Sequence, residues 1–275
     1  MPLTLTPLSG IPLIRHGDDL ADILVKSLSE TNIELQDNDI LVIAQKIVSK
    51  AEGRTVNLAT ITPSQRALEL AEQTQKDPRF IELVLQESNE VLRTRAGTII
   101  VEHRLGFVCA NAGIDHSNVN PPLALSGTEA IAEVQSKRGE GAEVRSEDWV
   151  LLLPSDPDLS SRKMRDAIQS KTGQRIGVLI IDSHGRAWRN GTVGAAIGIA
   201  GMPGLQDLRG EPDLFGYKLQ ITQVGVADEL AAAASLVMGQ AAEGTPVVHV
   251  RGFPYPLREG SLKELIRPKE MDLFR

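Results

Sequence analysis

Cysteine is nearly absent from this chain: of its 275 residues one is a cysteine, Cys109. A lone cysteine excludes an internal disulfide and fits a reducing compartment. Five histidines, His16, His103, His116, His184 and His249, are scattered along the sequence. With no cysteine pair beside them, a soft-metal site is disfavoured. A basic excess is also missing. The formal net charge is -7 and the pI about 5.4, which argues against a protein devoted to the nucleic-acid backbone but leaves room for a local anion site. No apolar run approaches the ~20 residues that a spanning helix needs. The start, MPLTLTPLSGIPLIRHGDD, lacks a basic segment followed by an apolar one, so no signal peptide is expected. These absences predict a soluble cytoplasmic protein with no membrane or nucleic-acid partner. Aromatic residues make up 3% and speak neither for nor against self-association. The common catalytic signatures are absent too: there is no GxxxxGK[ST], GxGxxG, HExxH or GxSxG.

What is present is ordinary globular composition, 41% hydrophobic and 24% charged, long enough for one large or two modest domains. Residues 40–44 read as a buried strand that turns basic and polar directly afterwards. Residues 63–93 carry helical spacing at Ala67, Leu70 and Ala71, then Phe80, Leu83, Val84 and Ser88. Pro63 suits a first helical turn, and Asp77-Pro78 separates two helices. Residues 98–115 read as a hairpin around Arg104-Leu105-Gly106. Segment 120–149, with its prolines, glycines and mixed charge, reads as a loop or insertion with a short helix over Thr128–Val134. Asp158-Leu-Ser-Ser supplies caps for a helix through Ser170, closed by Gly173. Residues 225–240 predict an alanine-rich helix with acids in its first turn, and 246–252 a late strand. Helices and strands alternate without a regular βαβ period, which predicts a mixed α/β fold.

The chemistry concentrates at 176-IGVLIIDSHGRAWRNG-191, an apolar strand that spills into Asp, Ser, His and two arginines. Turn residues alone explain such a cluster; a site mounted on a strand end explains it as well. Asp115, in NAGIDHSN, also follows an apolar strand. If both strand ends open on one crevice, their carboxylates can hold a hard divalent cation that keeps waters for phosphates. Lys46, Lys50, Arg54, Arg186 and Arg189 can neutralise phosphate oxygens. By spacing alone, each of these residues is more often turn or solvated surface than ligand. The glycines Gly191, Gly194, Gly198 and Gly201 are better explained by close packing than by a ligand.

Taken in order, these stretches resemble one family. GIPLIRHGDDL (10–20), IVSKAEGR (47–54), RLGFVCANAGIDHSNV (104–119), LLLPSDPD (151–158), IDSHGRAWRNG (181–191), AIGIAG (196–201), DLFG (213–216), VADELAAAASLVMGQ (226–240) and VVHVRG (247–252) are similar to the coenzyme F420-0:L-glutamate ligase family, also called F420 γ-glutamyl ligase.

The resemblance implies a two-lobed fold over residues 1–252 with a tail at 253–275, and an intertwined homodimer. It implies use of GTP to join L-glutamate to the lactyl carboxylate of F420-0 through an acyl phosphate, with further γ-linked glutamates in some members. The implied cofactors are Mn²⁺ or Mg²⁺, with K⁺ as a further cation. Position by position, Asp115 and Asp182 match metal aspartates and, with Lys50, form the implied catalytic set. Ser183 stands for a threonine that helps hold a second metal, and Gln240 for a metal-binding glutamate. Gly10, Ile11, Pro12 and Leu13, then Gln45, Lys46 and Lys50, then Asn118, fall on nucleotide stretches. So does the loop Met238, Gly239, Gln240, Ala241, Ala242, Glu243, Gly244 and Thr245. Segment 120–149 is longer than many members have there, and no nitroreductase-like domain is expected. The rival readings are a related ligase for another carboxylate, a metal-dependent phosphatase and a non-catalytic nucleotide binder.

Overall fold

A computed structural model describes residues 2–119 and 148–273. Its strands are β1 (Thr4–Pro7), β2 (Ile40–Ala44), β3 (Thr55–Asn57), β4 (Ser88–Arg95), β5 (Thr98–His103), β6 (Val108–Ala110), β7 (Trp149–Leu151), β8 (Gly177–Arg186), β9 (Arg189–Ala200), β10 (Gln206–Asp207), β11 (Gln223–Val224) and β12 (Val247–Arg251). Its helices are α1 (Leu20–Glu30), α2 (Gln45–Ala51), α3 (Gln65–Thr74), α4 (Pro78–Gln86), α5 (Pro157–Thr172) and α6 (Val226–Met238). The mixed α/β class expected from the sequence is what the chain adopts. The proposed insertion lies outside the described residues, as does its short helix. Asp148 and Trp149 are the exceptions, and Trp149 opens β7.

The chain divides into two compact units, one from Met1–Leu13, Asp19–Val48 and Ser155–Phe274, the other mainly from Ile14–Asp18 and Ser49–Pro154. The first is built on a five-stranded sheet in the order β1-β12-β2-β8-β9. Only β2 and β8 run parallel, paired from Ile40↔Gly177 to Ala44↔Ile181. Val178 to Ile180 are fully buried, because successive side chains point to opposite faces and both faces are covered. Helix α6 packs Ala227, Leu230, Ala231 and Ala234 against Leu179, Ile181 and Ala196. Its alanines let it lie close. A Cβ at Gly194 would strike the Ala231 carbonyl, and one at Gly198 would strike Pro157 at the head of α5. Packing therefore explains these two glycines, while Gly191 and Gly201 take positive φ of 81° and 69°.

In the second unit α3 and α4 pack over the sheet β4-β5-β6. The core joins Leu70, Phe80, Ile81 and Val84 to Ile99, Val101, Ile114 and Val150. Three local expectations need correction. Pro63 lies outside α3, whose N-cap is Ser64; its side chain accepts the Ala67 N–H. Helical spacing does not run on to residue 93, since α4 ends at Gln86 and Ser88 opens β4. Asp156, not Asp158, caps α5. The Asp158 carboxylate instead accepts the N–H groups of Ile199 and Leu262, which ties α5 to β9 and the C-terminal segment.

Candidate functional site

Strand β8 does not stop at Asp182, as its loss of hydrophobicity suggested. It runs on to Arg186, paired with β9 from Asp182↔Ala195 to Arg186↔Arg189. The physical reason is the neighbour on the other side. Strand β2 ends at Ala44, opposite Ile181. Beyond that level β8 and β9 continue as a two-stranded ribbon with less cover, so polar residues can follow. Asp182 is the first residue of that ribbon.

The pleat sends consecutive side chains to opposite faces. Asp182 and His184 share one face, and His184 Nε2 stands 3.1 Å from Asp182 Oδ2. Ser183 faces the other side. Its hydroxyl donates to Gln240 Oε1 at 2.8 Å, and Gln240 Nε2 donates to Ser235 Oγ at 2.8 Å. The amide of Gln240 is thereby oriented, with its oxygen on Ser183. Gln240 follows Gly239, which turns the chain out of α6 at φ 74°. In the same loop the Thr245 hydroxyl bonds the Met238 carbonyl, and the Ala241 N–H bonds Glu243. Backbone N–H groups of Glu243 itself, Ala241 and Gln240 draw the Glu243 carboxyl below its usual range.

Elsewhere in the first unit, Gly10 to Leu13 form a loop moored through Ser9. The Ser27 hydroxyl donates to the Ser9 carbonyl, and the Ser9 N–H bonds Thr31. Gly10 takes φ 75°, and Leu13 is 77% exposed. Gln45 is buried and Lys46 half-buried at the start of α2.

In the second unit, Lys50 is half-buried on α2. Asp115 is fixed by backbone pairing: its N–H donates to the Leu151 carbonyl, and the Leu151 N–H donates to its own. Asn111, Ala112 and Gly113 just before it take positive φ of 54°, 52° and 66°. A run of left-handed residues that includes a buried alanine is costly for L-residues and must be held by its surroundings. Asn118, also left-handed at φ 57°, is exposed. His116 stacks on Phe80, and burial lowers its pKa. Arg54 is not poised for phosphate. Its Nε donates to the Leu153 carbonyl and its Nη2 to Glu87, which Arg104 also approaches at 3.1 Å. Among the other expected cations, Arg186 reaches the carbonyls of Asn190 and Gly191 at 3.5 Å, and Arg189 is exposed.

Among the described residues no three His, Cys, Asp or Glu side chains gather into a metal cage. Asp182 nevertheless fits a cation. Its side chain is 11% exposed, and no lysine or arginine among the described residues pairs with it. On the opposite face of the ribbon, Ser183 Oγ and Gln240 Oε1 offer neutral oxygens of the kind a separate hard cation accepts. Sequence reasoning assigned no role to His184 or Ser235, which the structure sets beside Asp182 and Gln240. His184 was hidden because its i+2 relation to Asp182 counts only if the strand continues. Ser235 was hidden because helix position alone does not show a hydroxyl facing Gln240. Two clefts, about 450 and 370 Å³, open around Asn32, Ile33 and Glu34, the smaller also lined by His249 and Arg251. They lie toward the other end of the sheet and include none of the residues expected to bind metal or nucleotide.

An α/β unit whose sheet runs on into a polar two-stranded ribbon is the class of protein these features define. The family model described as F420-0:Gamma-glutamyl ligase matches residues 10–252. The chain is 46% identical over 277 residues to "Coenzyme F420:L-glutamate ligase" of Methanothermobacter thermautotrophicus, covering all of both chains. Proteins of the same name from Archaeoglobus fulgidus, covering 100% of this chain and 97% of theirs, and from Methanocaldococcus jannaschii, covering 96% and 94%, are each 40% identical. The chain belongs to the F420-0:γ-glutamyl ligase family. Among the described residues no helix is long and apolar enough to cross a membrane.

Proposed function

We propose that the chain is a GTP-dependent ligase that joins L-glutamate to coenzyme F420-0. The observation that carries this reading is its full-length similarity, 40–46% identity, to proteins named for that ligation. A free carboxylate is a poor acyl donor at neutral pH, so activation as an acyl phosphate by GTP, followed by attack of the glutamate amine, is the economical route. Addition of further γ-linked glutamates extends the same chemistry.

The residues take roles that their environments support. Lys50 neutralises phosphate charge, with Gln45, Lys46 and Asn118 lining the nucleotide. Loop 10–13 offers an exposed Leu13 as an apolar contact. Backbone N–H groups in loop 238–245 already hold the Glu243 carboxylate, and an anionic phosphate oxygen suits the same donors. Asp115 and Asp182 are the proposed anionic metal ligands, with Ser183 and Gln240 supplying neutral oxygens. A bound Mn²⁺ or Mg²⁺, with K⁺, would offset phosphate charge and orient the transferring group. A homodimer completes the proposal. Leu214 and Phe215, 98% and 94% exposed in the loop between β10 and β11, support it.

Incubation of the purified chain with F420-0, GTP, L-glutamate and Mn²⁺, read by product mass, tests the function. Glutamylated F420 with matching GDP and phosphate is expected. Phosphate release without glutamylation would favour a phosphatase, and turnover only with another acid would favour the related ligase.

A further inference from the structure

Asp182 and His184 stand two residues apart on β8, so both side chains project to one face of the ribbon. The imidazole Nε2 and the carboxylate Oδ2 are 3.1 Å apart, on side chains 12% and 11% exposed. Two ligands that meet one octahedral cation at a right angle, each ~2.1 Å from it, are themselves about 3 Å apart. The pair therefore already has the spacing of one edge of a coordination shell. Both residues belong to the antiparallel ribbon and face residues 195 and 193 of β9, so the edge is set by backbone pairing.

We propose that His184 Nε2 is a direct metal ligand beside Asp182, which biases this site toward Mn²⁺ or another imidazole-accepting divalent ion over Mg²⁺. The inference rests on the reading of Asp182 as a metal ligand. A neutral imidazole with its proton on Nδ1 presents the Nε2 lone pair; one metal–nitrogen bond forms, one bound water leaves the ion, and no proton is released. The remaining positions go to water and substrate phosphate oxygens.

The test uses the full chain, Mn²⁺ alone and Mn²⁺ with the β,γ-methylene analogue of GTP. Free Mn²⁺ is counted by its EPR signal, and pulsed EPR reads nitrogen coupled to bound Mn²⁺. Wild-type protein should bind Mn²⁺, and Asp182→Asn should lose it. The wild-type nitrogen coupling should vanish in His184→Gln, with affinity falling about tenfold or more and the preference for Mn²⁺ over Mg²⁺ narrowing. If Asp182→Asn loses the ion but the wild type shows no imidazole coupling, or His184→Gln keeps it, the ligand proposal is overturned and the metal reading stands. If the wild type binds no Mn²⁺ in either condition, or Asp182→Asn binds it unchanged, both fall. Should His184→Gln prove unfolded by circular dichroism, His184→Asn with the same two readouts decides.

Discussion

The sheet of the first unit carries an Asp–His pair at each end, and the two are built differently. Before β2, Asp39 is 1% exposed and stands 2.8 Å from His249 Nε2. It also accepts Nε and Nη2 of Arg251 and the N–H of Gln36. Beyond the last residue of β2, Asp182 has His184 at 3.1 Å and, among the described residues, no such guanidinium. For Asp39, burial opposes the charge, but Arg251 and His249 outweigh it and hold the carboxyl at about 2. One carboxylate is saturated by its own chain. The other is left with bonding capacity that the described residues do not fill. That difference is what the proposed ligand role of Asp182 and His184 draws on, although the residue types are the same.

The largest effect should come from breaking the saturated pair. Asp39→Ala leaves Arg251 and His249 facing an emptied site, and loss of one partner of a buried charged network costs about 3–5 kcal/mol. Urea denaturation should show that loss, whereas Asp182→Asn should unfold near the wild-type midpoint. The comparison sharpens in acid. The Asp39 carboxyl lies at about 2 in the fold against an ordinary 3.8, so its contribution is complete above the unfolded value and disappears as pH falls through about 4 toward 2. The amount at stake is about 2 kcal/mol. Asp39→Asn should flatten the stability curve in that window.

Asp182→Asn should do the opposite: stability within about 1 kcal/mol of wild type, because asparagine has nearly the same shape and no lysine or arginine among the described residues loses a partner, with glutamylation reduced at least about a hundredfold, the scale of ~2.7 kcal/mol at the transition state. Full activity in the product-mass assay would remove Asp182 from the site.

How much of this contrast the sequence revealed depends on range. The strand Ile40–Ala44, the hairpin after Thr98 and the helix of 226–238 are local patterns of period and capping, and they stood out. The extension of β8 to Arg186 did not, because it is decided by where a neighbouring strand stops. Arg54 looked like a phosphate cation after a strand. Its partner Glu87 is 33 residues away and its carbonyl acceptor, Leu153, is 99 away. Asp39 attracted no attention for the same reason, with His249 and Arg251 more than 200 residues later. The candidate site residues were singled out mainly through the ordered family motifs, since an aspartate after an apolar run is ambiguous by itself.

A smaller effect is expected in the second unit. Lys50→Ala should weaken GTP binding by about tenfold, close to 1.4 kcal/mol. The deficit should shrink as salt rises, because a partly exposed contact is screened. Calorimetric titration at two salt concentrations checks this, and an unchanged affinity would return Lys50 to the surface lysines.

The smallest predicted effect concerns Ser235. Its hydroxyl accepts from Gln240 Nε2 while Gln240 Oε1 accepts from Ser183. Without that hydroxyl, both orientations of the amide compete: in one the oxygen meets Ser183, in the other the NH₂ group does. A neutral hydrogen bond of this kind is worth about 1 kcal/mol net, so Ser235→Ala should raise the metal concentration for half-maximal activity by roughly fivefold with little change in the maximum. Ser235 is buried under the ribbon, 8% exposed, and Ser235→Thr, which keeps the hydroxyl, should restore the value if the added methyl is accommodated. Gln240→Glu separates orientation from charge. A carboxylate presents oxygen on both sides, so its metal requirement should become insensitive to Ser235→Ala. If the double variant still shows the full Ser235 effect, the hydroxyl acts on helix packing against Gly194 rather than on the amide.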